Sequence, residues 1–388
     1  MNYFALRRQA LIRNLSKDTE GPEAAVITCP VNVTYLTGFT GDSSNVIVTP
    51  KTAILVSDLR YDVQIKEECE DVGKNGELEL HIRPHNKTTG EATAEVLAKL
   101  GVKSVAVEAN RLPIGALEGF RSLVPKATFV PQDELVETLR TVKDMGEVER
   151  IREAVRIAER AYKMFLATLR DTDTEKEMVD SLDGYLRWAG ARGSAFPPIV
   201  SVGERGALPH APPSSRQLEE GTKLLVDWGA DLLYKSDITR TIRSPFRTTP
   251  TRKNKFERVG YSFEEIHQIV LNAQNAAIAE IRPGAKAKDI DAAARKVISS
   301  AKLKNEPSTK LGEHFTHGLG HGIGLEIHEN PRIRANSEDV LEAGMVITIE
   351  PGIYLPGWGG VRIEDDILVT RDGCTMLTTL PRDLSPIA

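Results

Sequence analysis

The chain has 388 residues, 40% hydrophobic and 27% charged, with a formal net charge of −5. That is an ordinary globular composition, long enough for two or three domains of about 100–200 residues each. The acidic balance excludes the basic footprint expected of a nucleic-acid-binding protein, and no run approaches the roughly 20 apolar residues that a membrane span needs.

The N-terminal stretch MNYFALRRQALIRNLSKD places Phe4, Leu11 and Leu15 at helical spacing, as in an amphipathic surface helix. It lacks the apolar core and small-residue cleavage site of a signal peptide. The three cysteines, Cys29, Cys69 and Cys374, are odd in number, far apart and without CxxC spacing. Neither a disulfide framework nor a thiolate zinc site fits them, so a cytoplasmic, reduced protein is expected. Between residues 24 and 130 the segments AAVITCP, NVIVTP, TAILVSD and SVAVEAN read as strands, and GEATAEVLAKL reads as a helix between strands. This is an α/β layer.

The pattern changes near residues 131–140. Ile151, Val155, Ala158, Tyr162 and Phe165 form one apolar stripe on a long charged helix. TDTEKEMVDSLDGYLRWAG reads as a second helix, with a Thr/Asp/Glu start and a Gly stop. Alternation then returns, with strands expected at 222–230, 234–244, 345–350 and 361–370 and helices near 262–281 and 287–302. The basic cluster TRKNKFER reads as solvated surface. The fold class is α/β with two domains, an N-terminal one over 1–134 and a C-terminal one over 135–388.

Four segments of the C-terminal part carry candidate chemistry. In KLLVDWGADLLYKSDITRTI two β-type runs flank a short loop, and Asp227 and Asp237 are equidistant from Leu232. A hairpin centred there would set the two carboxylates opposite each other, about 5 Å apart at Cβ, where like charges are destabilising unless a cation lies between them. A divalent metal suits oxygen ligands. Alternatively, one aspartate sits in the turn and the other faces solvent. In GMVITIEPGIYLPGWGGVRIEDDILV, Glu350 and Glu364 are equidistant from Gly357, so the geometry would recur. Here the competing reading pairs Glu364 with Arg362 or leaves it on a solvated edge. In THGLGHGIGLEIHEN, His317 and His321 are four apart, among glycines that argue against a helix. His328 would fall on the opposite face of a strand unless the chain bends, which the glycines permit. His210 lies in a Pro-rich loop ahead of the first aspartate and means little by itself.

Together these segments resemble the pita-bread metallopeptidases, which include methionine aminopeptidase, aminopeptidase P and prolidase. The family order His, Asp, Asp, His, Glu, Glu is matched by His210, Asp227, Asp237, His321, Glu350 and Glu364. FPPIVSVG, HGLGHGIGLEIHE, TIEPGIY and GGVRIEDDILVT are specific in combination. PVNVTYLTGFTG and SDLRYDVQ look like the N-terminal domain of aminopeptidase P, prolidase and creatinase. The resemblance implies a creatinase-like α/β N-terminal domain and an α+β pita-bread catalytic domain. The implied activity is dinuclear hydrolysis of the Xaa-Pro bond by a metal-bridging hydroxide, either on longer peptides, as in aminopeptidase P, or on dipeptides, as in prolidase.

Carried over residue by residue, Asp227, Asp237, His321, Glu350 and Glu364 would hold two divalent ions. Mn²⁺ or Co²⁺ suits this oxygen-rich set, and Zn²⁺ is also compatible. Glu350 would also move the proton of the attacking water. His210 and His328 would act on the substrate side, with His317 in the same pocket, and Arg362 would complete this group by orienting carboxylate ligands. A homodimer acting on proline-containing peptides is implied, with neither nucleic acid nor membrane as partner. Two other outcomes exist among pita-bread proteins: a metal-free creatinase-like C–N hydrolase and a catalytically inactive peptide-binding module. The intact ligand set argues against both. One departure stands out: the Asp227–Asp237 segment is one residue shorter than is usual in the family and lacks the Gly near the Tyr before Ser-Asp, so its hairpin tip is expected to differ.

Overall fold

The computed structural model describes residues 2–15, 21–69, 72–73, 77–246 and 261–383. The basic cluster at 251–258 lies outside the described residues. The chain divides into two compact units, Met1–Arg140 and Thr141–Ala388. Among the described residues no helix is long and apolar enough to cross a membrane.

The first unit is built on a six-stranded sheet of β1 (Ala24–Ile27), β2 (Asn45–Val48), β3 (Ala53–Ser57), β4 (Glu79–Ile82), β5 (Ser104–Glu108) and β6 (Thr128–Gln132), in the order β4-β3-β2-β1-β5-β6. The pairs β1–β5, β5–β6 and β3–β4 are parallel, whereas β1–β2 and β2–β3 are antiparallel. The apolar runs that read as strands are buried because helices cover them. Val26, Ile47, Val56, Val105 and Val107 pack with Ala92, Val96 and Leu97 of the helix Thr89–Leu100 and with Phe120. That helix begins in a capping box of Thr88 and Glu91 and ends at Gly101 in the left-handed region, which satisfies both of its ends. The N-terminal helix spans Tyr3–Leu15 and buries Leu11 and Leu15.

The second unit contains β7 (Gly193–Ser194), β8 (Ile199–Val202), β9 (Lys223–Trp228), β10 (Ala230–Leu232), β11 (Tyr234–Lys235), β12 (Ile238–Arg243), β13 (Gly320–Gly322), β14 (Glu329–Ile333), β15 (Val346–Ile349), β16 (Gly352–Leu355), β17 (Gly359–Arg362), β18 (Asp365–Val369) and β19 (Cys374–Met376). They form small antiparallel sheets, ordered β12-β9-β8, β11-β10-β7, β14-β13-β15-β18-β19 and β16-β17. The expected strand at 361–370 is therefore two strands, which break at Ile363–Glu364 and pair with different partners.

Two helix pairs back these sheets. Met145–Thr168 buries the stripe Ile151, Val155, Ala158, Tyr162 and Phe165. Trp228 of β9 stacks on Tyr162 with ring centroids 4.1 Å apart and donates from Nε1 to Ala158 O at 3.0 Å, which fixes the strand that carries Asp227. The helices Phe263–Ala279 and Ala287–Ser300 bury Ile266, Val270, Ile290 and Ile298 against Ile347, Ile349 and Ile367 of β15 and β18.

Candidate active site

The first hairpin corrects the spacing argument. Asp227 lies opposite Thr239 and Trp228 opposite Ile238, while Leu232 faces Tyr234 and Asp231 faces Lys235. The loop is centred on Leu233, not Leu232. Asp237 is thus level with Gly229, diagonal to Asp227 on one face instead of directly across. The cause is at the tip, where Leu233 itself takes φ +85°, a conformation usually left to glycine. Asp231 supports it by accepting from Leu233 N at 2.9 Å and from Lys235 Nζ at 2.7 Å. Between the aspartates the strands close tightly, since a Cβ on Gly229 would lie 1.8 Å from Ser236 O.

The second hairpin has the register its spacing predicts. Gly352 faces Arg362 and Leu355 faces Gly359, so the turn is centred on Gly357, at φ +77°. The β15–β18 ladder keeps the same register, with Ile349 opposite Asp365. Glu350 and Glu364 are level with each other in the gap between the two ladders, where Pro351 has no N–H to donate and its carbonyl accepts from Ile363 N at 3.5 Å. Glu364 turns to β12 instead: its N–H donates to Thr239 O at 3.1 Å and its Oε2 accepts from Thr239 Oγ1 at 2.7 Å. Thr239 thereby joins the two hairpins and puts Glu364 beside the aspartates.

The third contribution is β13. A Cβ on Gly320 would lie 2.0 Å from Thr348 O, so glycine lets β13 press against β15. His321 is buried there, its N–H donating to Thr348 Oγ1 at 3.1 Å. Its Nδ1 donates to Gly322 O at 3.1 Å, which leaves Nε2 as a lone pair 3.6 Å from Asp237 Oδ2 and 3.5 Å from Glu350 Oε1. Burial, reinforced by the neighbouring His328, pulls the ring pKa down to about 3, so the ring is neutral. The chain then bends through Gly324–His328 and returns the His328 ring over His321, with centroids 4.4 Å apart and planes at 79°. His317 sits to the side. Its Nδ1 donates to Gly318 O at 2.7 Å and its Nε2 accepts from Tyr354 OH at 2.8 Å, a neutral ring whose pKa burial lowers to about 4.

Arg362 ties these parts together. It donates from Nη2 to Asp227 Oδ2 at 2.6 Å, from Nη1 to Tyr354 OH at 2.8 Å and from Nε to Thr239 Oγ1 at 3.0 Å. All nine residues singled out from the sequence line one cleft of about 680 Å³, with exposed His210 on its wall. Thr239 and Tyr354 did not stand out in the sequence, although both lie inside motif segments. Arg332 and Arg334, which also line the cleft, carried no signal there.

The donor set fits a metal. Asp237, His321 and Glu364 each offer an atom within 4.8 Å of the others. Asp227 Oδ1 is buried without a hydrogen-bond partner. Burial, then the repulsion of neighbouring carboxylates, pushes Asp237 and Glu350 well above the usual carboxylate range and Glu364 up to about 8. Crowded buried carboxylates with a neutral imidazole lone pair beside them are stabilised by a divalent cation.

The model of metallopeptidase family M24 matches residues 149–371, and that of the creatinase/prolidase N-terminal domain matches residues 7–142. A Xaa-Pro dipeptidase of Pyrococcus horikoshii is 34% identical over 370 residues, 95% of this chain and 95% of that protein. Among solved structures, an X-Pro aminopeptidase from Thermotoga maritima superposes with a TM-score of 0.82 at 33% identity, covering 97% of this chain and 99% of that one. A Xaa-Pro dipeptidase from Bacillus anthracis superposes with a TM-score of 0.83 at 33% identity, covering 98% of each chain. The chain belongs to metallopeptidase family M24, its pita-bread catalytic domain preceded by a creatinase/prolidase N-terminal domain.

Proposed function

We propose that this peptidase hydrolyses the Xaa-Pro bond of short peptides with two divalent ions. The observation that carries this reading is the convergence of Asp237, His321 and Glu364 donor atoms within 4.8 Å, beside the unpartnered Oδ1 of Asp227, in a family whose relatives are named for Xaa-Pro cleavage. Asp227, Asp237, His321, Glu350 and Glu364 would hold the ions. Four carboxylates offset the charge of two divalent cations, and Mn²⁺ or Co²⁺ suits the oxygen-rich set. When bound, such ions lower the pKa of a water and polarise the scissile carbonyl.

The remaining work falls to the chain's own groups. Glu350, beside His321 at 3.5 Å, takes the water's proton and returns it to the leaving proline nitrogen. His328 over His321, and His210 on the wall, hydrogen-bond the substrate and the developing oxyanion. Arg362 holds Asp227 in place, and Thr239 holds Glu364. Arg332 and Arg334 bring positive charge to the cleft, a match for the C-terminal carboxylate of a short substrate, which favours a dipeptide over a long peptide.

The test is to strip the protein with a chelator and assay it with and without Mn²⁺ or Co²⁺ on a Xaa-Pro dipeptide and a Xaa-Pro-Yaa tripeptide. Metal-dependent cleavage of the dipeptide is expected. Failure to cleave either peptide with any metal overturns the reading, and cleavage of the tripeptide alone overturns the dipeptide preference. Glu350→Ala should abolish turnover, and near-normal activity would remove its assigned role.

A further inference from the structure

Glu329 directly follows His328, and its carboxylate is turned inward, its side chain 5% exposed. One oxygen, Oε2, accepts from Lys143 Nζ at 3.1 Å, and the ammonium side chain is only 1% exposed. The other oxygen, Oε1, accepts from the backbone N–H of Glu326 at 3.0 Å. The bend that carries His328 therefore wraps around this carboxylate. Gly324 opens the bend, and a Cβ there would lie 2.7 Å from Glu329 Oε2 and 2.8 Å from Oε1, so the carboxylate occupies the space a side chain would need.

The ladder explains why Glu329 can turn in. His321 pairs with Arg332, but the next residue, Gly322, pairs with Glu329, so β14 bulges between them. The bulge brings the chain back early and leaves His328 over His321. Lys143 itself is fixed: its N–H donates to Gly344 O at 2.9 Å, just ahead of β15, and its Nζ also donates to Thr141 O at 3.3 Å. An ammonium held by a strand-side backbone thus reaches a bend 186 residues away and pins it through a buried charge pair.

A buried ion pair is a poor source of net stability, because desolvation offsets most of its attraction, but separating its ends leaves an uncompensated buried charge, so the two ends stay together. The bend is where that geometry matters. We infer that Glu329 is a positioning residue for His328: the Lys143–Glu329 pair fixes the bend that holds the His328 imidazole over His321, at the mouth of the cleft. This rests on the proposed role of His328 in substrate handling. A shift of about 1 Å in a positioned group can cost on the order of 100-fold in rate.

The test is a cycle of Glu329→Gln, His328→Ala and the double variant, each with bound metal measured and kcat and KM separated. Glu329→Gln should lower kcat/KM by about 10- to 100-fold with metal content unchanged. In the His328→Ala background the same change should cost no more than about 2-fold, because nothing remains to be positioned. Where His328→Ala is impaired, losses that multiply, or a near-normal Glu329→Gln, overturn the inference.

A second readout does not depend on catalysis. In the Zn²⁺-loaded protein the His328 ring signal, identified by its absence in His328→Ala, should move in NMR spectra of Glu329→Gln, and an unmoved signal overturns the inference. If His328→Ala alone is near normal, the proposed role of His328 fails while the ring signal still decides the positioning claim. Should Glu329→Gln fold poorly, the double-neutral Lys143→Met/Glu329→Gln leaves no unpaired buried charge. Its kcat/KM is expected to stay low as its Tm recovers, and recovery of both overturns the inference.

Discussion

Arg362 engages three acceptors of different kinds through three nitrogens: the Asp227 carboxylate, the Tyr354 phenol and the Thr239 hydroxyl. A planar guanidinium can hold that arrangement, whereas a lysine ammonium is one compact point on a flexible stem. Arg362→Lys keeps the charge and loses the fork. It is expected to lower activity or metal affinity by about 10- to 100-fold, the usual cost of losing a group that orients a metal ligand. Metal titration alongside kcat/KM checks it, and wild-type values for both would show that Asp227 needs no such support. Tyr354 is the milder case. Its hydroxyl accepts from Arg362 and donates to His317, so Tyr354→Phe leaves the guanidinium on Asp227 and Thr239 but removes one of the two hydrogen bonds that hold the His317 ring. The expected result is a rise in KM with bound metal unchanged, read from steady-state kinetics.

At the scale of the element, the two hairpins behave differently under mutation because their turns are built differently. Leu233 holds φ +85° with a side chain, which costs about 1–2 kcal/mol, whereas glycine there would cost only the extra freedom of the unfolded chain, about 0.4–1 kcal/mol. Leu233→Gly is therefore expected to stabilise the protein by up to about 1.5 kcal/mol in denaturant unfolding; destabilisation would mean that the leucine side chain contributes more than its backbone strain costs. Gly229→Ala runs the other way. Its Cβ would enter the Ser236 carbonyl, so the strands must part, at about 1–3 kcal/mol. Asp227 and Asp237 flank that point, so metal affinity should fall with stability. The same contrast explains what the chain disclosed in advance. Gly357 marks the centre of its turn, so the pairing level of Glu350 and Glu364 could be read from spacing alone. Leu233 marks nothing, so spacing alone puts the partner of Asp227 two residues short, at Asp237 instead of Thr239. Strands β1, β2, β3 and β5 of the first unit were legible as continuous apolar runs because they are buried along their length, whereas β4 and β6 were not; the stripe from Ile151 to Phe165 was legible as a helical period because burial on one face leaves a period in the sequence. The union of the hairpins at Thr239 and the return of His328 over His321 left no such trace. Thr239 meets a residue 125 positions away and Glu329 meets one 186 positions away, and no local pattern encodes either contact.

For the whole molecule, the carboxylate cluster makes stability depend on metal and pH together. Glu364 is raised from 4.5 to about 8, first by burial and then by Asp227, and Asp237 and Glu350 shift in the same direction. A group whose folded pKa is raised favours the fold while protonated, so its contribution is complete below about 4.5 and is lost as pH climbs through about 8. The buried histidines oppose this only at lower pH. His321 and His317 are depressed from 6.5 to about 3 and about 4, so they are neutral in the folded chain near neutral pH and lose their charge in the unfolded chain as pH passes through 6.5. Between about pH 6.5 and 8 the carboxylates dominate the slope as the histidine contribution fades, and the Tm of the metal-stripped protein should fall across that window. A divalent ion takes the place of the missing protons, and its binding to the folded state adds stability by mass action. Protons compete less for the same oxygens as pH rises, so the gain in Tm from a fixed concentration of Mn²⁺ should be larger at pH 8 than at pH 6.5. Thermal unfolding of stripped and reloaded protein at both pH values measures it. A flat profile without metal would mean that the carboxylates are not crowded enough to repel. An equal metal-dependent gain at both pH values would mean that the ions bind somewhere other than this cluster.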